Sequence, residues 1–270
     1  MSTCYWHPDR ETGVSCQRCE RFICPDCATS GAVGFLCPED SKERIKIRRP
    51  AFQQSMTQRA PITIGLIGIN VIVFLLQISS DAVTNAVAFM RIGSEYEYGS
   101  IIRAFTSAFA HSPSQYTHIL FNMYSLFVLG TLIEPLLGKL KFTVLYFLSI
   151  FGGSLGFLFF GEFGSYVVGA SGAIFGLMGA YIVFLRALRM DARQMIVIVA
   201  INVVISFLPG IAWQAHFGGM AVGALVAYIY TLFTKENQKA MLWGSLAVVL
   251  AGMFGLWVLG NAMMPPVILQ

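Results

Sequence analysis

Charge is what this sequence has least of. Only 12% of its 270 residues are Asp, Glu, Lys or Arg, against 56% hydrophobic residues, and the mean hydropathy is +0.67. A soluble domain carries roughly 25% charged residues. The composition therefore excludes an ordinary soluble fold and points to a chain that crosses a membrane several times. Cysteine is missing after Cys37, all six lying in the first 37 residues, so the apolar part has no disulfide framework. No apolar run precedes residue 62, and no cleavable signal peptide is expected. Internal repeats and paired, interrupted apolar segments are also missing, which argues against a secondary transporter. The net charge of +4 is small. It reflects topology rather than nucleic-acid binding, and no nucleic-acid partner is expected.

Seven apolar stretches are present, at about 62–80, 117–137, 142–161, 168–186, 194–209, 213–233 and 240–260. Each has about the length needed to cross a bilayer core, the fifth being short. The stretch 81–116 mixes Phe89, Met90, Ile92, Ile101, Ile102, Phe105 and Phe109 with charges. It reads as short helices lying in the headgroup region. Positive residues then orient the bundle. Lys139, Lys141, Arg186, Arg189, Arg193, Lys235 and Lys239 share one side with a basic stretch holding Lys42, Arg44, Lys46, Arg48, Arg49 and Arg59. The other side has only Arg91 and Arg103, against Asp81, Glu95, Glu97 and Glu162. The expected organisation is a cytoplasmic N-terminal head at 1–40, a basic juxtamembrane linker at 41–60 interrupted by Pro50, a membrane domain at 61–235, and an additional transmembrane helix within 236–270. The C-terminus then lies outside, and the plasma membrane is the expected location.

A cytoplasmic head disfavours disulfides and favours metal. The spacing agrees: Cys4-x2-His7, Cys16-x2-Cys19, Cys24-x2-Cys27 and Cys37-x2-Asp40 make four ligand pairs. Two intervening residues let one turn present both ligands to a tetrahedral ion, and four pairs fill two ions. Thiolates joined by His and Asp suit zinc better than an iron–sulfur cluster. The order of pairs resembles a B-box-type zinc finger. That resemblance implies Cys4, His7, Cys24 and Cys27 around one structural Zn2+, and Cys16, Cys19, Cys37 and Asp40 around the second. Asp40 stands where such fingers carry His, Asp or Cys; Glu39 or water are the alternatives. The expected role is structural, with a cytoplasmic protein as the partner.

Polar residues in the apolar part are few and fall at one depth. His118 and Asn122 are four apart at the start of the second stretch, hence on one helix face. Ser171 opens the fourth, in Gly169-Ala170-Ser171-Gly172, and His216 the sixth. Each lies within roughly 10 Å of the outer boundary at 1.5 Å per residue. Gly172-x3-Gly176-x3-Ala180 and Gly219-x3-Gly223-x3-Ala227 are small-residue stripes that let two helices approach closely. Packing alone would explain each feature singly. Together they bring a serine to a histidine, and a serine needs such a base within about 2.6–3.2 Å to attack a carbonyl.

These residues, with Arg103-Ala104-Phe105-Thr106, Gly130-x3-Glu134 with Gly138, and Ala215-His216-x2-Gly219-x3-Gly223, resemble the rhomboid family of intramembrane serine proteases over about residues 60–235. The resemblance implies an all-α polytopic membrane protein, with a six-helix core to which a seventh C-terminal helix is added. It implies Ser171 as nucleophile and His216 as general base, without Asp. His118, Asn122 and the Ser171 amide would form the oxyanion site. Gly169 would open the loop around it, and Phe175 would pack under His216. Some relatives have a tyrosine at that place; with phenylalanine, the orientation of His216 is expected to come from packing alone. His111 stands further from His118 than is usual in the family and is read as a local loop or headgroup contact. The expected function is endopeptidase cleavage of transmembrane substrates in the lipid bilayer near its outer face, with no metal in catalysis. The rival readings are an inactive rhomboid-like protein that binds transmembrane clients, a channel, and a zinc-dependent adaptor with a membrane anchor.

Overall fold

In the computed structural model, which describes residues 2–30, 34–42, 56–91 and 100–264, two short hairpins carry the cysteine pairs of the first unit, Met1–Gln54. Strands β1 (Ser2–Thr3) and β2 (Glu11–Thr12) pair antiparallel, as do β3 (Thr29–Ser30) and β4 (Phe35–Leu36). Helix α1 (Pro38–Lys42) follows. Among the described residues of this unit, the buried apolar ones are Ile23 and five cysteines. One isoleucine is not a hydrophobic core, so the cysteines themselves must organise the fold. Most of the basic linker, with Arg44, Lys46, Arg48, Arg49 and Pro50, lies outside the described residues.

The second unit, Ser55–Gln270, is helical. Its elements are α2 (Met56–Arg59), α3 (Pro61–Ser79), α4 (Asp81–Val87), β5 (Phe89–Met90), α5 (Ser100–Thr106), α6 (Tyr116–Leu137), α7 (Lys139–Phe160), β6 (Tyr166–Val167), α8 (Ser171–Ala187), α9 (Arg193–Ser206), α10 (Trp213–Leu232) and α11 (Lys239–Ala262). Among the described residues five helices are long and apolar enough to cross a membrane: α3, α6, α7, α10 and α11 with the turn before it. The fourth and fifth expected spans are the shorter apolar helices α8 and α9. At 17 residues, α8 is about 25 Å long, short of an about 30 Å hydrocarbon core. Lys139 and Lys141, read from sequence as a loop, form the first turn of α7. Gly138, at φ +76°, is the single residue between α6 and α7, a backbone conformation that favours glycine.

Helices α7, α8 and α10 form the packed centre. The stripes expected in α8 and α10 interlock: a Cβ on Gly219 or Gly223 would fall on the backbone of Gly172 or Gly176. A third stripe, not singled out in the sequence, comes from α7. There Gly152, Gly153 and Gly156 face the backbone of Gly218, Ala215 and Gln214. The start of α3 is fixed by Glu134, whose buried carboxylate accepts from Ile62 N (2.9 Å), Thr63 N (2.8 Å) and Thr63 Oγ1 (2.8 Å). The two N–H groups are orphan donors of a helix N-terminus, and Gly130 leaves room for Thr63 against α6.

The 81–116 segment does form short elements, but among its described aromatic residues Phe89 and Phe105 turn inward. Phe89 packs on Phe157 and Trp257, and Phe105 stacks on Phe151 with centroids 5.4 Å apart. Ile102 is exposed; Ile92, Glu95 and Glu97 lie outside the described residues. Ser154 Oγ donates to Ala104 O at 2.6 Å and pins α5 to α7. Arg91 caps the C-terminal end of α7, its Nε donating to Leu158 O at 2.7 Å and its guanidinium reaching Gly161 O. Strands β5 and β6 pair antiparallel, so this segment grips the loop that leads into α8.

Candidate active site

Ser171 is the first residue of α8. Its amide therefore has no carbonyl one turn back within the helix to bond, and is free to act on a ligand. The preceding loop is set by Gly169, whose N–H donates to Ser107 O at 2.9 Å and whose φ is +124°. His216 is the fourth residue of α10 and is 8% exposed. The interlocked glycines bring the two together, and His216 Nε2 lies 2.8 Å from Ser171 Oγ. Phe175, one turn below Ser171, stacks on the imidazole at 4.1 Å between centroids and 10° between planes.

The opposite wall is α6. His118 lies against Gly169: a Cβ built there would sit 2.9 Å from His118 Nε2 and 3.7 Å from Ser171 Oγ. Ser112 N donates to His118 Nδ1 at 3.4 Å. A backbone N–H can only donate, so the neutral ring carries its proton on Nε2, the atom turned to the site. Buried Asn122 donates through Nδ2 to His118 O at 2.8 Å, which leaves its second amide proton for another acceptor. Three of the four polar groups read from the sequence, Ser171, His216 and His118, thus meet around Gly169, and Asn122 is tied to the backbone of His118.

Two sequence expectations need correction. His111 does not meet headgroups: it is fully buried, its ring 5.1 Å from that of His118. Its backbone is held by Gln77, a residue the sequence reading passed over, which donates to His111 O and accepts from His111 N, both at 2.9 Å. Nor does His216 rest on packing alone. Ser206 Oγ lies 2.6 Å from His216 Nδ1. Ser206 closes α9, ten residues before His216, and the depth argument applied to the fourth and sixth stretches would have found it in the fifth.

In the head, Cys4, His7, Cys24 and Cys27 converge, as do Cys16, Cys19, Cys37 and Asp40, each set with ligand atoms within 4.8 Å of one another. His7 Nδ1 lies 3.8, 3.5 and 3.3 Å from Cys4, Cys24 and Cys27 Sγ. Asp40 Oδ2 lies 3.1 and 3.2 Å from Cys16 and Cys37 Sγ. Burial raises the Cys4 thiol, but backbone N–H groups of Cys24 and Trp6 bring it down to about 6. Bonds from the Cys19, Cys16 and Cys37 thiols hold the Asp40 carboxyl at about 2. Both shifts favour the ionised forms of Cys4 and Asp40. Burial and the neighbouring thiols, by contrast, push Cys27 up to about 11. Against a lowering bond from the Arg21 backbone, the Asp40 carboxyl and burial push Cys19 up to about 11.

Comparison with known proteins bears on the membrane unit. Residues 98–233, half of the chain, match the Rhomboid domain. RHOMBOID-like protein 1 of Arabidopsis thaliana is 36% identical over 137 residues, 48% of this chain and 34% of that protein. The putative rhomboid protease YdcA of Bacillus subtilis is 36% identical over 122 residues, 42% of this chain and 60% of that one. Rhomboid protein 1, mitochondrial, of Saccharomyces cerevisiae is 28% identical over 214 residues, 71% of this chain and 60% of its own. The chain thus spans from a third to three fifths of the length of these relatives. With the domain match, the apolar helices and the interlocked centre together, this chain is an integral, multi-pass membrane protein that belongs to the rhomboid family.

Proposed function

We propose that this protein is an intramembrane serine endopeptidase that cleaves transmembrane segments near the outer face of the bilayer. One observation carries the reading: the 2.8 Å approach of Ser171 Oγ to His216 Nε2 in a nearly buried setting. In the first step Ser171 Oγ bonds to the scissile carbonyl carbon and its proton passes to His216 Nε2. The carbonyl oxygen becomes an anion, held by Ser171 N–H, His118 Nε2–H and Asn122 Nδ2–H. His216 then protonates the leaving amine, and water, activated by the same base, releases the acyl group. Three helix N-termini, of α6, α8 and α10, point their positive ends at the developing charge. The chemistry runs on this chain's own side chains and needs no metal.

All seven apolar helices cross the bilayer in this reading, the N-terminal head is cytoplasmic and the C-terminus is outside. The substrate helix comes in laterally beside α9 and unwinds locally, because a hydrogen-bonded helix hides its carbonyls. The head holds two structural zinc ions, one on Cys4, His7, Cys24 and Cys27, the other on Cys16, Cys19, Cys37 and Asp40. Ligands on a tetrahedral zinc with Zn–S near 2.3 Å stand about 3.5–3.8 Å apart, and His7 Nδ1 meets its three sulfurs at 3.3–3.8 Å. Zinc would supply the folding energy that the single isoleucine core does not. Its partner is a cytoplasmic protein.

The test is cleavage of a transmembrane test substrate by purified protein in detergent, parent against Ser171→Ala and His216→Ala. The expected result is cleavage by the parent alone. Equal cleavage by Ser171→Ala overturns the serine mechanism, and a folded parent that binds the substrate without cleaving it favours a client-binding rhomboid-like protein.

A further inference from the structure

We propose that Ser206 is a positioning residue for the base: its hydroxyl fixes the tautomer and rotation of His216 so that Nε2 faces Ser171 unprotonated. The inference rests on the protease reading given above.

Ser206 Oγ has two close neighbours, Asn202 O at 2.7 Å and His216 Nδ1 at 2.6 Å. With one proton to give, the hydroxyl bonds both neighbours only by donating to Asn202 O, a carbonyl that can only accept. Toward His216 the hydroxyl is therefore the acceptor, and Nδ1 must carry the ring proton. A neutral imidazole protonated on Nδ1 has its lone pair on Nε2, the atom 2.8 Å from Ser171 Oγ. The bonds run in one direction: Ser171 O–H to Nε2, Nδ1–H to Ser206 Oγ, Ser206 O–H to Asn202 O.

Placement supports a dedicated role. Only Met195 and Ser206 are buried among the fourteen residues of α9. Serine gains little from apolar burial, so packing does not explain it at one of two such positions. At 1% exposed it is out of reach of competing water. Ser206 also ends α9, where the helix dipole is negative, so the imidazolium formed during attack faces an oxygen and a favourable field together. Phe175 and Ser206 divide the restraint. The stacked ring fixes the plane of the imidazole, and the hydroxyl fixes its rotation within that plane. The base is thus completed by a residue on α9, a different helix from the one that carries it.

The test compares Ser206→Thr and Ser206→Val, which share a shape and differ in the hydroxyl. A hydrogen bond to a charged group is worth about a 10–100-fold change in an equilibrium. Ser206→Val is expected to lower kcat by about that factor with KM unchanged, and to slow labelling of Ser171 by a fluorophosphonate equally. Ser206→Thr should restore both, because threonine in a helix also reaches the carbonyl one turn back. In the parent, 15N NMR of labelled histidine should find His216 protonated on Nδ1 and bare on Nε2, a readout that needs no variant to fold. Equal kcat for the Val and Thr variants, or an Nε2–H tautomer in the parent, overturns the positioning role while loss of cleavage in Ser171→Ala leaves the protease reading standing. Cleavage that survives Ser171→Ala overturns both.

Discussion

Gly169 tests the oxyanion assignment without replacing a group that acts on the substrate. A Cβ there would lie 2.9 Å from His118 Nε2 and 3.0 Å from Cε1, but 3.7 Å from Ser171 Oγ. Non-bonded carbon and ring atoms rest about 3.5–4.0 Å apart, so His118 must retreat by roughly half an ångström or more while the nucleophile stays clear. The residue also sits at φ +124°, which costs a residue with a Cβ about 1–3 kcal/mol, a term that lowers stability. The catalytic effect comes from the ring. Loss of one oxyanion donor costs about 10²–10³ in kcat, and Gly169→Ala is expected to lose that much with little change in KM. The assay is cleavage of a transmembrane test substrate in detergent, run as a cycle with His118→Ala. If Gly169 acts through His118, the double variant is no slower in kcat than His118→Ala alone. Losses that multiply, or a Gly169→Ala protein with the parent's kcat, refute the reasoning.

Glu134→Ala strips the acceptor from three donors at the start of α3 and should cost at least about 2 kcal/mol, read as an earlier midpoint in an SDS unfolding titration. Gly223→Ala drives a Cβ into the Gly176 backbone and should cost about 1–3 kcal/mol together with activity, by prising α10 from α8. Gly252→Ala on α11, where a Cβ meets nothing within 4 Å, is the neutral control; equal losses in both would sink the interlock. In the head, metal analysis of reduced protein should find about two zinc ions per chain, and about one in Cys16→Ala. A metal-free, folded head would refute the assignment.

Much of this site was legible because its residue types are conspicuous in an apolar chain. Ser171, His216, His118 and Asn122 stand out against hydrocarbon, and their shared depth follows from counting along each span. The small-residue stripes of α8 and α10 announce close approach through their four-residue period. Ser206 and Gln77 escaped because each reads singly as a polar residue near a helix end. The α7 glycines escaped because nothing in their spacing names the partner. His111 was misread because its burial depends on Gln77, thirty-four residues away.

By itself, the sequence determined that the chain is a membrane protein, which helices are apolar, which residues could carry chemistry and how the eight Cys, His and Asp residues of the head pair in sequence. Those properties are local: composition, period and spacing fix them within a few turns. Only the tertiary structure decided which nitrogen of His216 faces Ser171 and what holds it there. A tautomer is set by what lies on the far side of the ring. Here that is a hydroxyl on α9, brought to His216 by the fold, while His216 itself stands on α10 and Ser171 on α8.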